Sequence, residues 1–255
     1  MRQFLMGFAA LSIASFANAA TLTWDNGGGG TDFSVADNWD TNTAPVSGVD
    51  SLQFNTTVGE VGQLSTAFTV GNGEFFNAGA GSVVRIAGSG HLTIATGGSL
   101  DFSGAVLAES GNSAQQVTLQ AGATATANQF FNEGNWTHNF SSDSSGVTTF
   151  DVNFLFLRGG TLNVNLQGYD DSNGPLILFD YNTLAGAGLF AGTFETVNVL
   201  GGTGTIDYSY DQGGGDLTIA LTNVMVATPE PSTLGLMAIG AALLYNVRKR
   251  KPKLV

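Results

Sequence analysis

The chain has 255 residues, no cysteine and a formal net charge of −12. Without cysteine there are no disulfides, thiolate metal sites or cysteine nucleophile, so an exported domain of this sequence must be held by packing and backbone pairing alone. Five cations crowd the last residues (Arg248, Lys249, Arg250, Lys251, Lys253) and Arg2 opens the chain, so residues 21–228 keep only Arg85 and Arg158 against nineteen carboxylates, a formal −17 that excludes nucleic acid as a partner.

Met1-Arg2-Gln3, the apolar run Phe4–Phe16 and Ala17-Asn18-Ala19 are the three parts of a secretory signal peptide. Residues 1–19 are therefore expected to form a signal helix cut after Ala19, on the Ala17-x-Ala19 pattern. Residues 20–228 are expected to be one extracellular all-β domain.

That domain opens with a distinct string: Trp24-Asp25, the turn Gly27–Gly30, Phe33, Asp37-Asn38-Trp39, Ala44-Pro45 and Asp50–Phe54. Two of the three tryptophans lie fifteen residues apart here, which predicts one packed aromatic cluster, either a hydrophobic cap or a sugar-stacking platform. The string resembles the opening unit of bacterial surface proteins with autotransporter-associated β-strand repeats. The resemblance implies a capped, parallel β-helical passenger. No translocator follows, so export by another route is expected.

From there on, short runs alternate apolar with polar residues: Val83–Ile86, His91–Ile94, Ser99–Phe102, Val117–Leu119, Thr161–Leu166 and Asp216–Leu221. Period-two alternation is the mark of half-buried strands, and the intervening Gly and Asn supply turns with positive φ. Gly81, Gly90 and Gly98 start three such runs at spacings of nine and eight residues, which points to a β-solenoid over about residues 60–165. A β-sandwich or jelly roll fits the same spacing. Val147–Leu157 and Leu176–Tyr181 are nearly continuous apolar runs, expected as strands buried on both faces. Gly213–Gly215 reads as a hairpin loop, and residues 147–225 are expected to close the β structure.

Catalytic constellations are poor, and no catalytic residue, cofactor or metal is predicted. His91 and His138 are read as solvated surface histidines. Asp170-Asp171 is the best acidic cluster, placed in a loop by Gly168, Gly174 and Pro175. It is a candidate ligand or Ca²⁺ site, or a glycosidase pair, against the plainer reading of a polar turn. Asn55-Thr56-Thr57, Asn135-Trp136-Thr137 and Asn139-Phe140-Ser141 match the N-glycosylation pattern and are read as chance matches.

The tail runs Pro229-Glu230-Pro231-Ser232, an apolar stretch Leu234–Val247 and the basic cluster Arg248–Lys251. The prolines force an exposed, extended linker. As a helix the apolar stretch reaches about 21 Å, a marginal span of a hydrocarbon core of about 30 Å. The basic cluster would hold the last residues in the cytoplasm. The order of parts over 229–255 resembles the tail of PEP-CTERM sorting proteins of Gram-negative bacteria. The resemblance implies recognition of Pro229-Glu230-Pro231 by an exosortase, a membrane-embedded protease. It also implies an inner-membrane-anchored precursor that passes to the cell surface or matrix, and an association with exopolysaccharide. The expected product is a non-enzymatic surface or matrix structural protein. The alternatives are a carbohydrate-binding module, or a polysaccharide hydrolase on a β-helix.

Overall fold

A computed structural model describes residues 20–54, 61–110, 115–132, 136–182, 192–211 and 217–227. The signal segment, the sorting tail with its candidate helix, and Gly213–Gly215 lie outside the described residues.

Period-two alternation becomes a β-solenoid. Strand β1 (Thr21–Thr23) leads into a coil of β2 (Ser51–Phe54), β3 (Val61–Leu64) and β4 (Ala67–Val70). The next coil is β5 (Phe75–Ala78), β6 (Val83–Ala87) and β7 (His91–Ile94). Two strands then suffice for each coil: β8 (Ser99–Ser110) with β9 (Gln116–Leu119), β10 (Thr124–Asn132) with β11 (Thr137–Ser141), and β12 (Phe150–Leu157) with β13 (Thr161–Asn165). β14 (Leu176–Tyr181) and β15 (Thr196–Leu200) follow, and β16 (Gly202–Asp211) and β17 (Leu217–Val226) end the domain. Among the described residues the only helices are two three-residue 3-10 turns, Ala36–Asn38 and Asp171–Asn173.

The pairings form three parallel ladders. The first joins β1, β2, β5, the start of β8, of β10 and of β12, and β14. The second joins β3, β6 and the later halves of β8, β10 and β12. The third joins β4, β7, β9, β11, β13 and β15. Parallel pairing throughout this stretch rules out the sandwich and the jelly roll, which are antiparallel. The solenoid also reaches beyond residues 60–165: it begins with Thr21 beside Ser51 and continues to Asn165 beside Leu200. Only β16 and β17 close it, β17 pairing antiparallel with both β14 and β16.

In-register partners fix the coil length. Leu52 pairs with Phe76, Phe76 with Leu100, Leu100 with Ala125 and Ala125 with Phe150. The steps are 24 or 25 residues, so the spacing of eight and nine read from Gly81, Gly90 and Gly98 is the distance from ladder to ladder within one coil. These glycines also do different jobs. Gly81 has φ of +81°, whereas a Cβ on Gly90 would lie 2.2 Å from the Leu64 carbonyl oxygen, and one on Gly98 2.6 Å from that of Val70. At Gly90 and Gly98 close backbone approach, not positive φ, demands glycine.

Inward positions stack into columns. Leu52, Phe76, Leu100, Ala125, Phe150 and Phe179 are all buried. Phe76 meets Phe102 edge-on at 4.9 Å between ring centroids. β12 alternates buried with outward residues, Asp151 and Asn153 being exposed, so it is not buried on both faces as its apolar run suggested. β14 likewise turns Ile177 and Asp180 partly outward. The first end of the stack is closed by Trp24, Phe33 and Trp39, each 3% exposed or less.

Candidate functional site

Asp170 and Asp171 do lie in a loop, the extra residues that lengthen the step from Phe150 to Phe179. Asp170 caps the 3-10 turn, its carboxylate accepting from the Ser172 backbone N–H at 3.0 Å. Hydrogen bonds from the Ser172 side chain and backbone hold its pKa below the ordinary value. Both carboxylates are exposed, and no group of three or more metal-ligating side chains occurs among the described residues. Pro229, Glu230, Pro231 and Arg248–Lys251 lie outside the described residues, as do Ala17 and Ala19.

His91 faces outward on the third ladder, half-buried. His138 contradicts the surface reading. It is 1% exposed and takes an inward position, in register with Val117 and Leu162. Its ring lies against Phe130, Trp136 and Phe194, with centroids 5.4 to 5.7 Å away. The Asn132 amide nitrogen, 3.2 Å from the Gly159 carbonyl, lies 3.1 Å from Nε2 and can donate to it only if Nε2 is unprotonated. Burial pushes the pKa of His138 down to about 3, so it is a neutral core residue. Trp136, at 0% exposed, is equally interior. With Trp24 and Trp39 also buried, the tryptophans offer no sugar-stacking surface.

Chemistry is instead sorted onto the outward sides of the ladders. On the first, Gln53, Asn77, Asp101, Thr126, Asp151 and Asp180 align rung upon rung. Thr126 Oγ1 donates to Asp101 at 3.3 Å, and the Ser103 backbone N–H donates to the same oxygen at 3.0 Å. Those Ser103 contacts, backbone first, keep the Asp101 carboxyl below its usual range. Asp151 goes the other way: partial burial, then the negative charge of Asp180 on the neighbouring strand, raises its pKa. An open depression of about 440 Å³, lined by Ser103, Thr126, Asp151, Asn153, Asp180 and Asn182, runs along this side. It presents hydrogen-bond acceptors to a polyol, with the Asp151 and Asp180 carboxylates side by side on neighbouring strands. Sequence reasoning missed this pair because Asp151 and Asp180 are 29 positions apart and meet only through the coil register.

The third ladder presents a different surface. Its six strands contain no Asp, Glu, Lys or Arg. Its central outward column is Thr69, Thr93, Thr118, Asn139, Asn163 and Asn198. The asparagines form a ladder of side-chain bonds. Asn198 donates to Asn163 at 2.9 Å, Asn163 to Asn139 at 2.8 Å, and Asn139 to Thr118 Oγ1 at 3.0 Å. The amide of the candidate acceptor Asn139 is thus engaged in the sheet surface.

The last strand, β17, ends at Val226, and the Ala227 N–H donates to the Gly201 carbonyl at 2.8 Å. The chain therefore leaves the domain at the end opposite the tryptophan cap. A family model of the PEP-CTERM protein-sorting motif matches residues 227–251, beginning where the last strand stops. No curated protein and no solved structure matches the chain. With that motif, the chain is an exported, surface-directed protein sorted at its C-terminus through exosortase-dependent processing.

Proposed function

We propose that the chain is a non-catalytic structural protein of the cell surface or extracellular matrix, associated with exopolysaccharide. The observation that carries this reading is the sorting motif over 227–251, set directly behind a folded β-solenoid. In this reading Leu234–Val247 holds the precursor in the inner membrane of a Gram-negative cell, and Arg248–Lys251 keeps the terminus inside. Residues 1–19 direct export and are removed. The solenoid then stands outside as a rigid, acidic, soluble body. Residues 21–54 act as its end cap, in keeping with their resemblance to the opening unit of autotransporter-associated β-strand repeat proteins.

The test is processing and retention in cells. Glu230→Ala should accumulate a membrane-bound precursor, whereas neutralising Arg248–Lys251 should let uncleaved chain slip from the membrane. Processing of the Glu230 variant at the parental rate would reduce the tail to a plain anchor. Absence of the processed chain from the matrix fraction would remove the matrix role.

One observation favours a second reading, a polysaccharide hydrolase: adjacent Asp151 and Asp180 share an open groove, and the Asp151 pKa is raised. Release of new reducing ends from a polysaccharide, lost in Asp151→Asn, would establish it.

A further inference from the structure

The second ladder carries the third kind of surface. Its outward column Arg85, Ala108, Phe131, Phe156 crosses four strands in register, and Phe154 stands beside it. Inward neighbours Phe130, Leu155 and Leu157 are fully buried, so the core is filled without the outward rings. Phe131, Phe154 and Phe156 are half-buried, and the Phe131 ring is tilted by 38° against Phe154 and 43° against Phe156, with centroids 5.6 Å apart in both pairs. Arg158 follows two positions after Phe156, exposed, with its guanidinium carbon 6.0 Å from the Phe156 ring centroid. Arg85 is exposed at the other end of the column. These are the only two Lys or Arg residues in 21–228.

We infer that this aromatic face, flanked by Arg85 and Arg158, is a binding site for a carboxylate-bearing sugar chain. Three outward phenylalanines in one patch leave apolar area in water that a plain solenoid side would cover with polar residues, as the third ladder does. Flat aromatic rings suit the apolar C–H faces of pyranose rings. Arginine's planar fork pairs with a carboxylate through two parallel hydrogen bonds. Strands about 4.8 Å apart put Arg85 about 14 Å from Phe156 along the column, so the occupant is an extended chain rather than one sugar. Both cations of a domain with nineteen carboxylates fall on this one side. Screening over about 8 Å at physiological salt confines the repulsion of the remaining surface, and the arginines act locally.

This inference rests on the exopolysaccharide reading, and its test separates the two. The full chain in detergent micelles is titrated calorimetrically with octagalacturonate and with neutral malto-octaose. Octagalacturonate should bind more tightly, and Arg85→Gln with Arg158→Gln should weaken it about ten-fold or more, in line with the loss of charge-assisted bonds. Both arginines are exposed, so circular dichroism should be unchanged. Phe131→Ser should weaken both ligands. Equal binding of the two sugars, parental binding by the double arginine variant, or no binding would overturn the site. So would concentration-dependent self-association abolished by the arginine changes, which would make this side an interface between copies. If octagalacturonate fails to bind while the chain is still retained in the matrix, the site fails and the surface reading stands. Octagalacturonate binding by a chain never found in the matrix would support the site and overturn the exopolysaccharide reading.

Discussion

The indole N–H of Trp39 donates to the Phe33 carbonyl at 2.8 Å, while the neighbouring Trp24 N–H has no acceptor among the described residues. The two rings meet edge-on at 5.3 Å. Both are buried, so they bury similar apolar surface and differ by one hydrogen bond. Trp39→Phe should therefore destabilise the full chain by about 1 kcal/mol more than Trp24→Phe. Urea unfolding followed by tryptophan fluorescence reads the difference. Equal losses would mean that the cap is held by packing alone.

Acid should weaken the core through His138. Its folded pKa is about 3, against an ordinary 6.5, so between those values the unfolded chain binds a proton that the folded chain does not. The contribution is fully present above pH 6.5 and falls by about 1.4 kcal/mol per pH unit as the pH drops toward 3. The rings packed against His138 (Phe130, Trp136, Phe179, Phe194) carry no charge. In His138→Phe this slope should vanish, leaving only the carboxylate contribution, as denaturation at pH 7, 6 and 5 would show.

The asparagine ladder predicts an asymmetry between two small changes. Asn163 donates to Asn139 and accepts from Asn198. Asn163→Asp keeps the shape and the acceptor but sets a carboxylate against the Asn139 oxygen. It should cost about 1–2 kcal/mol, more than an exposed surface change normally does. Thermal melts of both Asn163→Asp and Asn163→Ala measure it. The Asp variant should recover partly below pH 4, when its carboxyl can donate.

Asp151 reports on its neighbour. Removing the Asp180 charge with Asp180→Asn should lower the Asp151 pKa but not return it to its ordinary value, because partial burial is the larger cause. A carbon-detected carboxyl titration decides. No change would place the two carboxylates too far apart to interact.

Gly62 is pinned by the cap: a Cβ there would lie 2.3 Å from Phe33 and 2.6 Å from Phe54. Gly62→Ala should cost about 1–3 kcal/mol by forcing those rings aside. Gly48, with φ of +75° and open space around it, has room for a side chain but imposes a left-handed backbone that strains one. Comparing the melting of Gly62→Ala and Gly48→Ala separates steric from conformational cost.

The strands were legible in the sequence because alternation reports which side of a ribbon is dry, and Thr161–Asn165 needs no more than that. The aromatic cluster was legible too, from Trp24 and Trp39 fifteen residues apart, but only their burial makes it a cap rather than a sugar-stacking platform. Lateral register was not. Nothing local says that Asp151 lies beside Asp180 or Phe131 beside Phe156, since the step between partners varies with each loop, from 21 residues between Gln116 and Thr137 to 35 between Thr161 and Thr196. His138 was readable and was missed: Trp136, His138 and Phe140 share one parity, and parity outranks the polarity of imidazole. The apolar run of β12 misled because Phe154 and Phe156 point outward.

The short step between parallel partners, 24 or 25 residues from Leu52 to Phe150, has a consequence for how the molecule is made. Each strand finds its partner on the coil just before it, so loop closure is brief and the order of events is set by chain direction. A polypeptide emerging N-terminus first delivers the tryptophan cap at once. It then lays each coil on a finished template and brings β17 into place last, just ahead of the sorting segment. Assembly can thus keep pace with translocation, leaving at any moment one growing edge exposed to wrong partners rather than a whole unfolded domain.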